Sequence, residues 1–181
     1  NTLRKDRNPA FEFSDARYWI AWRDGKPVGR IAALINRKAL EKWGTSDGRF
    51  GWVEFVEDFE VASALFAVAE DWLRSQGMTG VIGPMGFTDL DKEGLLIEGF
   101  DQLGTMPMIY NHPYYPEYIE RLGYARDVDW LEYEVKVPVT VPEKVLRVQE
   151  LVTKRTGLRI YEWKTTRELR RKFAPQIFDL I

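Results

Sequence analysis

The sequence predicts an α/β protein with a mixed, mainly antiparallel sheet, and two stretches of the chain support this prediction. Residues 18–22 and 28–35 are rich in apolar and aromatic side chains, and the Asp24-Gly25 pair between them suits the positive φ angles of a tight hairpin turn. Residues 52–84 fit a strand, a crossover helix and a second strand into about thirty residues. The two strands of such a unit lie parallel, so the sheet is predicted to be mixed.

Each element of the strand-helix-strand unit has its own signal. Residues 51–56 are aromatic and β-branched, which is typical of a strand. Residues 60–76 place apolar side chains at helical spacing, namely Val61, Leu65, Val68, Ala69 and Trp72. Gly77 is placed to end this helix, and residues 79–84 then resume as a short apolar strand.

The rest of the chain predicts shorter elements in two domains. Helices are expected at 37–43, 113–122 and 143–155 and from Thr165 onward, and strands at 130–137 and 158–163. Because residues 138–142 are typical of a linker, we expect one domain over residues 1–137 and the start of a second α/β unit over residues 138–181. No helix terminator follows Ile181, so the second unit is expected to be incomplete.

Composition excludes several kinds of chemistry. The 181 residues include no cysteine and one histidine, which excludes disulfides, thiolate catalysis and a metal site built from several histidines. No apolar run approaches the roughly twenty residues that cross a bilayer. We therefore predict a cytoplasmic protein with no metal and no membrane partner, and the sequence leaves its oligomeric state open.

Charge is distributed unevenly along the chain. Residues 1–135 contain 15 Lys and Arg against 23 Asp and Glu, whereas residues 136–181 contain 11 against 5. A basic tail can indicate a nucleic-acid partner. Its charges, however, alternate with apolar residues at helical spacing, which favours a solvated helix face or a face that meets the acidic body.

The turn that precedes the central helix is acidic and contains no glycine. Glu57, Asp58 and Glu60 lie where bare backbone amides and the positive end of a helix could otherwise cradle a phosphate. Bringing a phosphate close to unpaired carboxylates costs on the order of 1 kcal/mol per close pair even near the protein surface. The turn is therefore predicted to disfavour phosphate.

Two phrases of the sequence resemble the GNAT acyltransferase superfamily. They are Asp24-Gly25-Lys26-Pro27-Val28-Gly29-Arg30-Ile31 in the hairpin and Glu120-Arg121-Leu122-Gly123-Tyr124 at the end of the helix predicted at 113–122. Within that superfamily the chain is similar, over about residues 8–135, to an uncharacterised bacterial N-acetyltransferase-like group in which a second, similar unit follows. The resemblance implies a GNAT-like fold whose first strand and helices lie upstream of residue 1.

The resemblance also implies that acetyl-CoA or another acyl-CoA is held between two splayed parallel strands while an amine attacks the thioester. By position alone, the cofactor-binding residues would be Phe55, Val56, Glu57 and Ser63. The superfamily's glycine-bearing pyrophosphate loop falls on residues 57–63, where neither of its glycines is present. Ordinary CoA binding is therefore predicted to be disfavoured at this turn.

Three residues are candidates for catalysis. Tyr118 and Asn111 keep the superfamily's usual Asn-to-Tyr spacing, although Tyr118 stands one position from the expected place. A tyrosine hydroxyl with a pKa near 10 can protonate a leaving thiolate, while the structural alternative is a packed tyrosine with its hydroxyl at the surface. Glu54 could deprotonate the amine if its strand face is buried, and is an ordinary alternating polar residue if that face meets solvent.

Two functions from different classes follow from the sequence. The first is an N-acyltransferase for a small-molecule or peptide amine. The carboxylates of residues 86–108 could recognise that amine, or they could merely keep their own long loop solvated. The second is a non-catalytic GNAT-like domain that supports another half of a tandem protein or binds a ligand. Fem-type aminoacyl transferases divide labour in this way, and tRNA would suit the basic segment.

Overall fold

A computed structural model of the chain describes residues 2–106 and 108–179, and it divides into two units. The first is Asn1–Val128 and the second is Asp129–Ile181. The predicted linker at residues 138–142 falls inside the second unit, and the two-domain assignment at residue 137 stays a prediction.

The first unit is built on one four-stranded sheet. Its strands are β1 (Ser14–Arg23), β2 (Lys26–Asn36), β3 (Asp47–Phe55) and β4 (Gly80–Ile82). They lie in the order β1-β2-β3-β4, with antiparallel pairing between β1 and β2 and between β2 and β3. β3 and β4 pair in parallel. This confirms the predicted mixed, mainly antiparallel α/β fold.

The hairpin turn between β1 and β2 has the predicted geometry. Asp24 and Gly25 have φ angles of 49° and 73°, and Arg23 pairs with Lys26 across the turn. Both central residues of a type I′ turn need positive φ, which Asp and Gly tolerate better than other residues. The local sequence therefore determines both the turn and the register of the two strands.

Three α-helices complete the first unit. They are α1 (Arg37–Trp43), α2 (Phe59–Ser75) and α3 (Tyr114–Arg121), and a 3-10 helix at Pro9–Glu12 precedes the sheet. Each α-helix lies within two residues of its predicted bounds. α2 is the crossover helix of the strand-helix-strand unit, and it connects the two parallel strands.

The hydrophobic core lies mainly between α2 and one face of the sheet. α2 buries one stripe of side chains, namely Val61, Ala62, Leu65, Phe66, Ala69 and Leu73. These pack with Ile31, Ala33, Ile35, Phe50 and Phe55 of the central strands. On the opposite face, Ala32 and Leu34 pack with Phe87 and Ala10. β2 is therefore covered on both faces, which explains its unbroken run of buried residues from 31 to 36.

The second unit contains helices but lacks the two strands that the sequence predicts. α4 spans Glu143–Thr156, and three short segments follow, namely α5 (Thr166–Glu168), a π-helical turn (Leu169–Phe173) and α6 (Ala174–Phe178). Residues 130–137 and 158–163 form no strand, so both predictions are wrong. A strand requires a hydrogen-bonded neighbour, and these segments have none in the described sheet.

The predicted final helix begins at Thr166, one residue after the expected start, and residues 180 and 181 lie outside the described part of the chain. Among the residues that the structure describes, no helix is both long enough and apolar enough to cross a membrane.

Candidate functional site

Two tyrosines at the start of α3 cover the end of β3. The Tyr114 hydroxyl donates a hydrogen bond to the Phe55 carbonyl at 2.8 Å, and the Tyr115 hydroxyl accepts one from the Phe55 amide at 3.0 Å. The Tyr115 ring also stacks on the Phe55 ring with centroids 4.2 Å apart. Both main-chain polar groups of Phe55 are therefore bonded to side chains of α3.

Burial makes Tyr114 a persistent hydrogen-bond donor. Burial, together with smaller contributions from Tyr115 and the carboxylate of Glu57, raises the pKa of Tyr114 to about 12. A phenol with this pKa keeps its proton at neutral pH, so its bond to the Phe55 carbonyl is maintained. Tyr114 thus holds α3 against the end of β3.

Tyr118 lies one turn further along α3 in the same aromatic cluster. Its ring is parallel to that of Phe55 at 6.2 Å and meets the Phe59 ring edge-on at 5.4 Å. The Arg121 guanidinium lies 3.9 Å from the centroid of Phe59 and 5.5 Å from that of Tyr118. Tyr118 takes no part in the hydrogen bonds to Phe55, and its side chain is half-buried.

The acidic turn before α2 caps its own helix. Asp58 is the N-cap residue, and its Oδ1 accepts a hydrogen bond from the Glu60 amide at 2.9 Å. The Asp58 amide donates to the Val56 carbonyl at 2.6 Å, and the Val56 amide donates to the Val28 carbonyl at 3.0 Å. Several of the amides that could receive a phosphate are therefore already bonded within the protein.

Arg23, the last residue of β1, compensates the charge of this turn. Its guanidinium forms ion pairs with Asp58 and with Glu60, the second at 3.1 Å. The hydrogen bond from Arg23 holds the pKa of Asp58 below its ordinary value, although partial burial of the carboxyl opposes the shift. The hairpin thus supplies a fixed cation where a phosphate-binding turn would offer free amides.

The four positions assigned to the cofactor offer few free main-chain amides to a pyrophosphate. Phe55 and Val56 have main-chain groups that are bonded internally, and Glu57 adds an exposed carboxylate. Ser63 is the fifth residue of α2, beyond the first four amides that a helix leaves free. Pyrophosphate binding at the start of α2 therefore stays predicted to be disfavoured.

Glu54 lies on an exposed part of β3. Its side chain is 66% exposed and accepts a hydrogen bond from Arg30 of β2 at 2.9 Å. The burial on which its role as a base depends is therefore absent. The neighbouring Trp52 has a φ of 44°, which interrupts the regular alternation of the strand at this point.

Asn111 is buried and bonded to main-chain groups. Its side-chain oxygen accepts from the Leu96 amide at 2.7 Å, and its nitrogen donates to the carbonyls of Leu96 at 3.1 Å and His112 at 3.1 Å. These bonds anchor residues 94–100 to the segment before α3. The structure thus gives Asn111 a positioning role in the loop.

The acidic loop at residues 86–108, of which residue 107 lies outside the described part, also contains structural carboxylates. Asp91 accepts hydrogen bonds from the amides of Phe87 at 2.9 Å and Thr88 at 3.2 Å. Arg49 donates to the carbonyls of Gly86 and Phe87, and burial lowers the pKa of Arg49. Part of this loop's charge therefore shapes the loop itself.

The predicted candidates are thus divided between different places. Phe55, Glu57 and Tyr118 lie around the end of β3, whereas Glu54 faces solvent and Asn111 anchors a loop. Sequence reasoning missed Tyr114, Tyr115 and Arg23. The signals were present, since adjacent tyrosines begin a helix and an arginine ends the hairpin strand, but a single sequence does not reveal that all three meet the turn between β3 and α2.

Comparison with known proteins finds relatives but no family assignment. No protein family matches the chain, and no solved structure matches it. The chain is 34% identical to Protein YghO of Escherichia coli (strain K12) over 154 residues, which are 84% of the chain and 40% of that protein. It is 33% identical to a protein named bacterial ceramide synthase from Caulobacter vibrioides (strain NA1000 / CB15N) over 144 residues, 79% of the chain and 38% of that protein.

The chain therefore spans about two fifths of the length of these curated relatives. It is an α/β protein with a homologue named bacterial ceramide synthase. Its membership of the GNAT superfamily stays a prediction.

Proposed function

We propose that this chain is part of an N-acyltransferase that joins a fatty acyl group to the amine of a long-chain amino alcohol. The similarity to the protein named bacterial ceramide synthase is the observation that carries the proposal. A ceramide is the amide of a fatty acid and a long-chain amino alcohol, so a protein of that name forms an amide bond. The parallel β3-α2-β4 unit supports the proposal, because the resemblance places an acyl donor there.

Amide formation requires two proton movements. The attacking amine must lose a proton, and the leaving group of the activated acyl donor must gain one. Tyr118 is the candidate donor, since Tyr114 and Tyr115 already use their hydroxyls on Phe55. Glu57 is the first carboxylate after this strand end, and its charge acts on the Tyr114 hydroxyl.

The donor is proposed to be an acyl-CoA or another activated acyl group whose phosphates are not held at the start of α2. Support comes from the cap formed by Asp58 and from the ion pairs of Arg23 with Asp58 and Glu60. These contacts give the capped amide and the carboxylates of Asp58 and Glu60 partners within the protein, so the turn needs no phosphate.

A second candidate function is a supporting unit that lacks catalytic groups of its own. Two observations favour it, namely the closed turn at the start of α2 and the commitment of Asn111 to loop anchoring. In that case the reacting groups belong to a part of the protein outside this chain, and this unit supports the site without supplying catalytic groups.

Product analysis of the intact protein tests the proposed function. The protein is incubated with palmitoyl-CoA and sphinganine, a saturated long-chain amino alcohol, and the amide is identified by mass spectrometry. The matched control is N,N-dimethylsphinganine, whose tertiary amine cannot form an amide. Amide from sphinganine alone supports the proposal. If no amide forms with palmitoyl-CoA, and the protein instead transfers an aminoacyl group from an aminoacyl-tRNA, the proposed function would be replaced by aminoacyl transfer.

A further inference from the structure

The only histidine of the chain lies beside the aromatic cluster at the end of β3. The His112 ring stacks on the Tyr114 ring, with centroids 5.4 Å apart and an angle of 13° between the ring planes. It also meets the Tyr110 ring edge-on at 6.4 Å. Since the Tyr114 hydroxyl is bonded to the Phe55 carbonyl, His112 is one ring away from the strand end at which the proposed function is placed.

The main chain of His112 is held in place, and its ring is accessible. Within the described residues, the hydrogen bonds of His112 involve its carbonyl, which accepts from the Asn111 side chain and from the Tyr115 amide, each at 3.1 Å. The residue is exposed, so water and a substrate can reach its ring nitrogens. The two hydrogen bonds and the stacking on Tyr114 therefore position an imidazole whose nitrogens are available.

The carboxylates around this strand end are largely engaged. Glu54 accepts a hydrogen bond from Arg30, and Asp58 forms an ion pair with Arg23. Glu57 is the other carboxylate whose charge acts on the cluster, and a carboxylate is ordinarily a weaker base than an imidazole. Imidazole is also the side chain that most readily exchanges protons at neutral pH. Proton uptake is therefore best suited to the histidine.

We propose that His112 is the general base that takes a proton from the attacking amine, an inference that rests on the proposed acyl transfer. With an acyl-CoA donor, the amine nitrogen forms a C–N bond to the thioester carbon, and its proton passes to a ring nitrogen of His112, directly or through one water. The C–S bond breaks, and the sulfur takes the proton of the Tyr118 hydroxyl. The imidazolium then returns its proton through solvent to the phenolate, so the cycle needs no further reactant.

The ring of Tyr114 brings the two groups of this cycle to one place. His112 and Tyr118 both lie beside it, with centroids at 5.4 Å and 5.5 Å from that of Tyr114. Tyr114 is itself fixed by its hydrogen bond to the Phe55 carbonyl. A substrate bound at this ring therefore meets one group for each of the two proton movements that amide formation requires.

Two substitutions of His112 in the intact protein separate proton transfer from stacking. His112→Phe keeps a ring on Tyr114 but cannot take up a proton, whereas His112→Ala removes the ring and leaves room for added imidazole. Amide formation from palmitoyl-CoA and sphinganine is measured for both variants with and without imidazole. We expect kcat to fall by roughly a hundredfold or more in each variant with little change in melting temperature, and imidazole to restore part of the activity of His112→Ala alone.

The outcomes distinguish this role from the proposed function itself. If the wild-type protein forms the amide and kcat is unchanged in His112→Phe, the ring serves only for stacking, and the assignment of the base to His112 alone is overturned. A larger loss of kcat in Glu57→Gln than in His112→Phe would also overturn it, because the base would then belong to the turn before α2. If the wild-type protein forms no amide from these substrates, the proposed function fails, and this assignment fails with it.

Discussion

Asp58 serves two structural roles at the start of α2. It caps the helix through the Glu60 amide and forms an ion pair with Arg23 of the hairpin. Since the hydrogen bond from Arg23 lowers its pKa, the pair stabilises the fold above the ordinary pKa of an aspartate, about 3.9. This contribution is lost as the pH falls through the lower pKa of the folded state.

Substitution of Asp58 separates the two roles. Asp58→Asn keeps a capping oxygen but removes the charge, so its melting temperature should fall less than that of the wild type between neutral pH and pH values below about 4. Asp58→Ala removes the cap as well and should lower the melting temperature at neutral pH by a further ~2–4 °C. Calorimetry across the pH range measures both, and identical acid profiles for wild type and Asp58→Asn would contradict the ion pair.

Gly51 of β3 has no room for a side chain. A Cβ at this position would lie 2.2 Å from the carbonyl oxygen of Met85, whose amide donates to the Phe50 carbonyl at 2.8 Å. Gly51→Ala should therefore destabilise the protein by roughly 1–3 kcal/mol, measured by urea unfolding. Gly104→Ala is the matched control, since its nearest neighbour would be at 3.6 Å, and an equal loss in both variants would contradict the close approach.

Tyr118 distinguishes a catalytic unit from a supporting one. If its hydroxyl protonates the leaving group, Tyr118→Phe should lower kcat for amide formation by roughly a hundredfold or more with little change in melting temperature. Tyr133→Phe serves as the control because that side chain is exposed. An unchanged kcat in Tyr118→Phe would assign this unit the supporting role.

At the scale of single residues, the sequence predicts the chemistry of a side chain better than it predicts the surroundings of that side chain. It predicts an acidic turn that disfavours phosphate, but the pairing of that turn with Arg23 depends on where the hairpin ends in space. The environment of Glu54 was also open, because alternation along a strand predicts faces only where the strand is regular. The positive φ of Trp52 and the register shift between Arg30 and Ala32 break that regularity.

At the scale of elements, α2 is the helix that fixes the core of the first unit. Leu73 lies near its C-terminal end and is 1% exposed, and it packs where a Cβ on Gly48 of β3 would be 2.5 Å away. The helix and the sheet are thus in close contact along their length.

Truncation of Leu73 tests this packing. Leu73→Ala should cost about 2–5 kcal/mol, because it leaves a cavity between α2 and β3. Val68→Ala, on a side of α2 where the side chain is 39% exposed, should change stability by less than about 1 kcal/mol. Chemical denaturation measures both changes in stability. Equal losses in the two variants would contradict the assignment of the buried face of α2.

Elements with local signals were predictable, and elements that need a distant partner were not. The hairpin depends on Asp24 and Gly25, and α2 on its apolar spacing, so both follow from short stretches of sequence. Residues 130–137 and 158–163 have strand-like composition, but composition does not supply the neighbouring strand whose hydrogen bonds define a sheet. The same limit applies to Tyr114 and Tyr115, whose partner Phe55 is about sixty residues earlier.

At the scale of the whole molecule, the proposed acyl transfer depends on where the donor binds. The chain resembles an acyltransferase superfamily in the order of its elements, yet its own Asp58 and Arg23 occupy the turn that would receive a pyrophosphate. The chain also spans about two fifths of its curated relatives. A site for the donor's phosphates elsewhere in the intact protein reconciles these observations.

The most direct test is calorimetric titration of palmitoyl-CoA into the intact protein and into its Asp58→Asn and Glu57→Gln variants. If the donor's phosphates bind away from the start of α2, all three proteins should bind with affinities that agree within about twofold, since a distant charge is largely screened. Binding that strengthens several-fold when either carboxylate is neutralised would place the phosphates beside this turn. That result would contradict the proposal that they bind elsewhere.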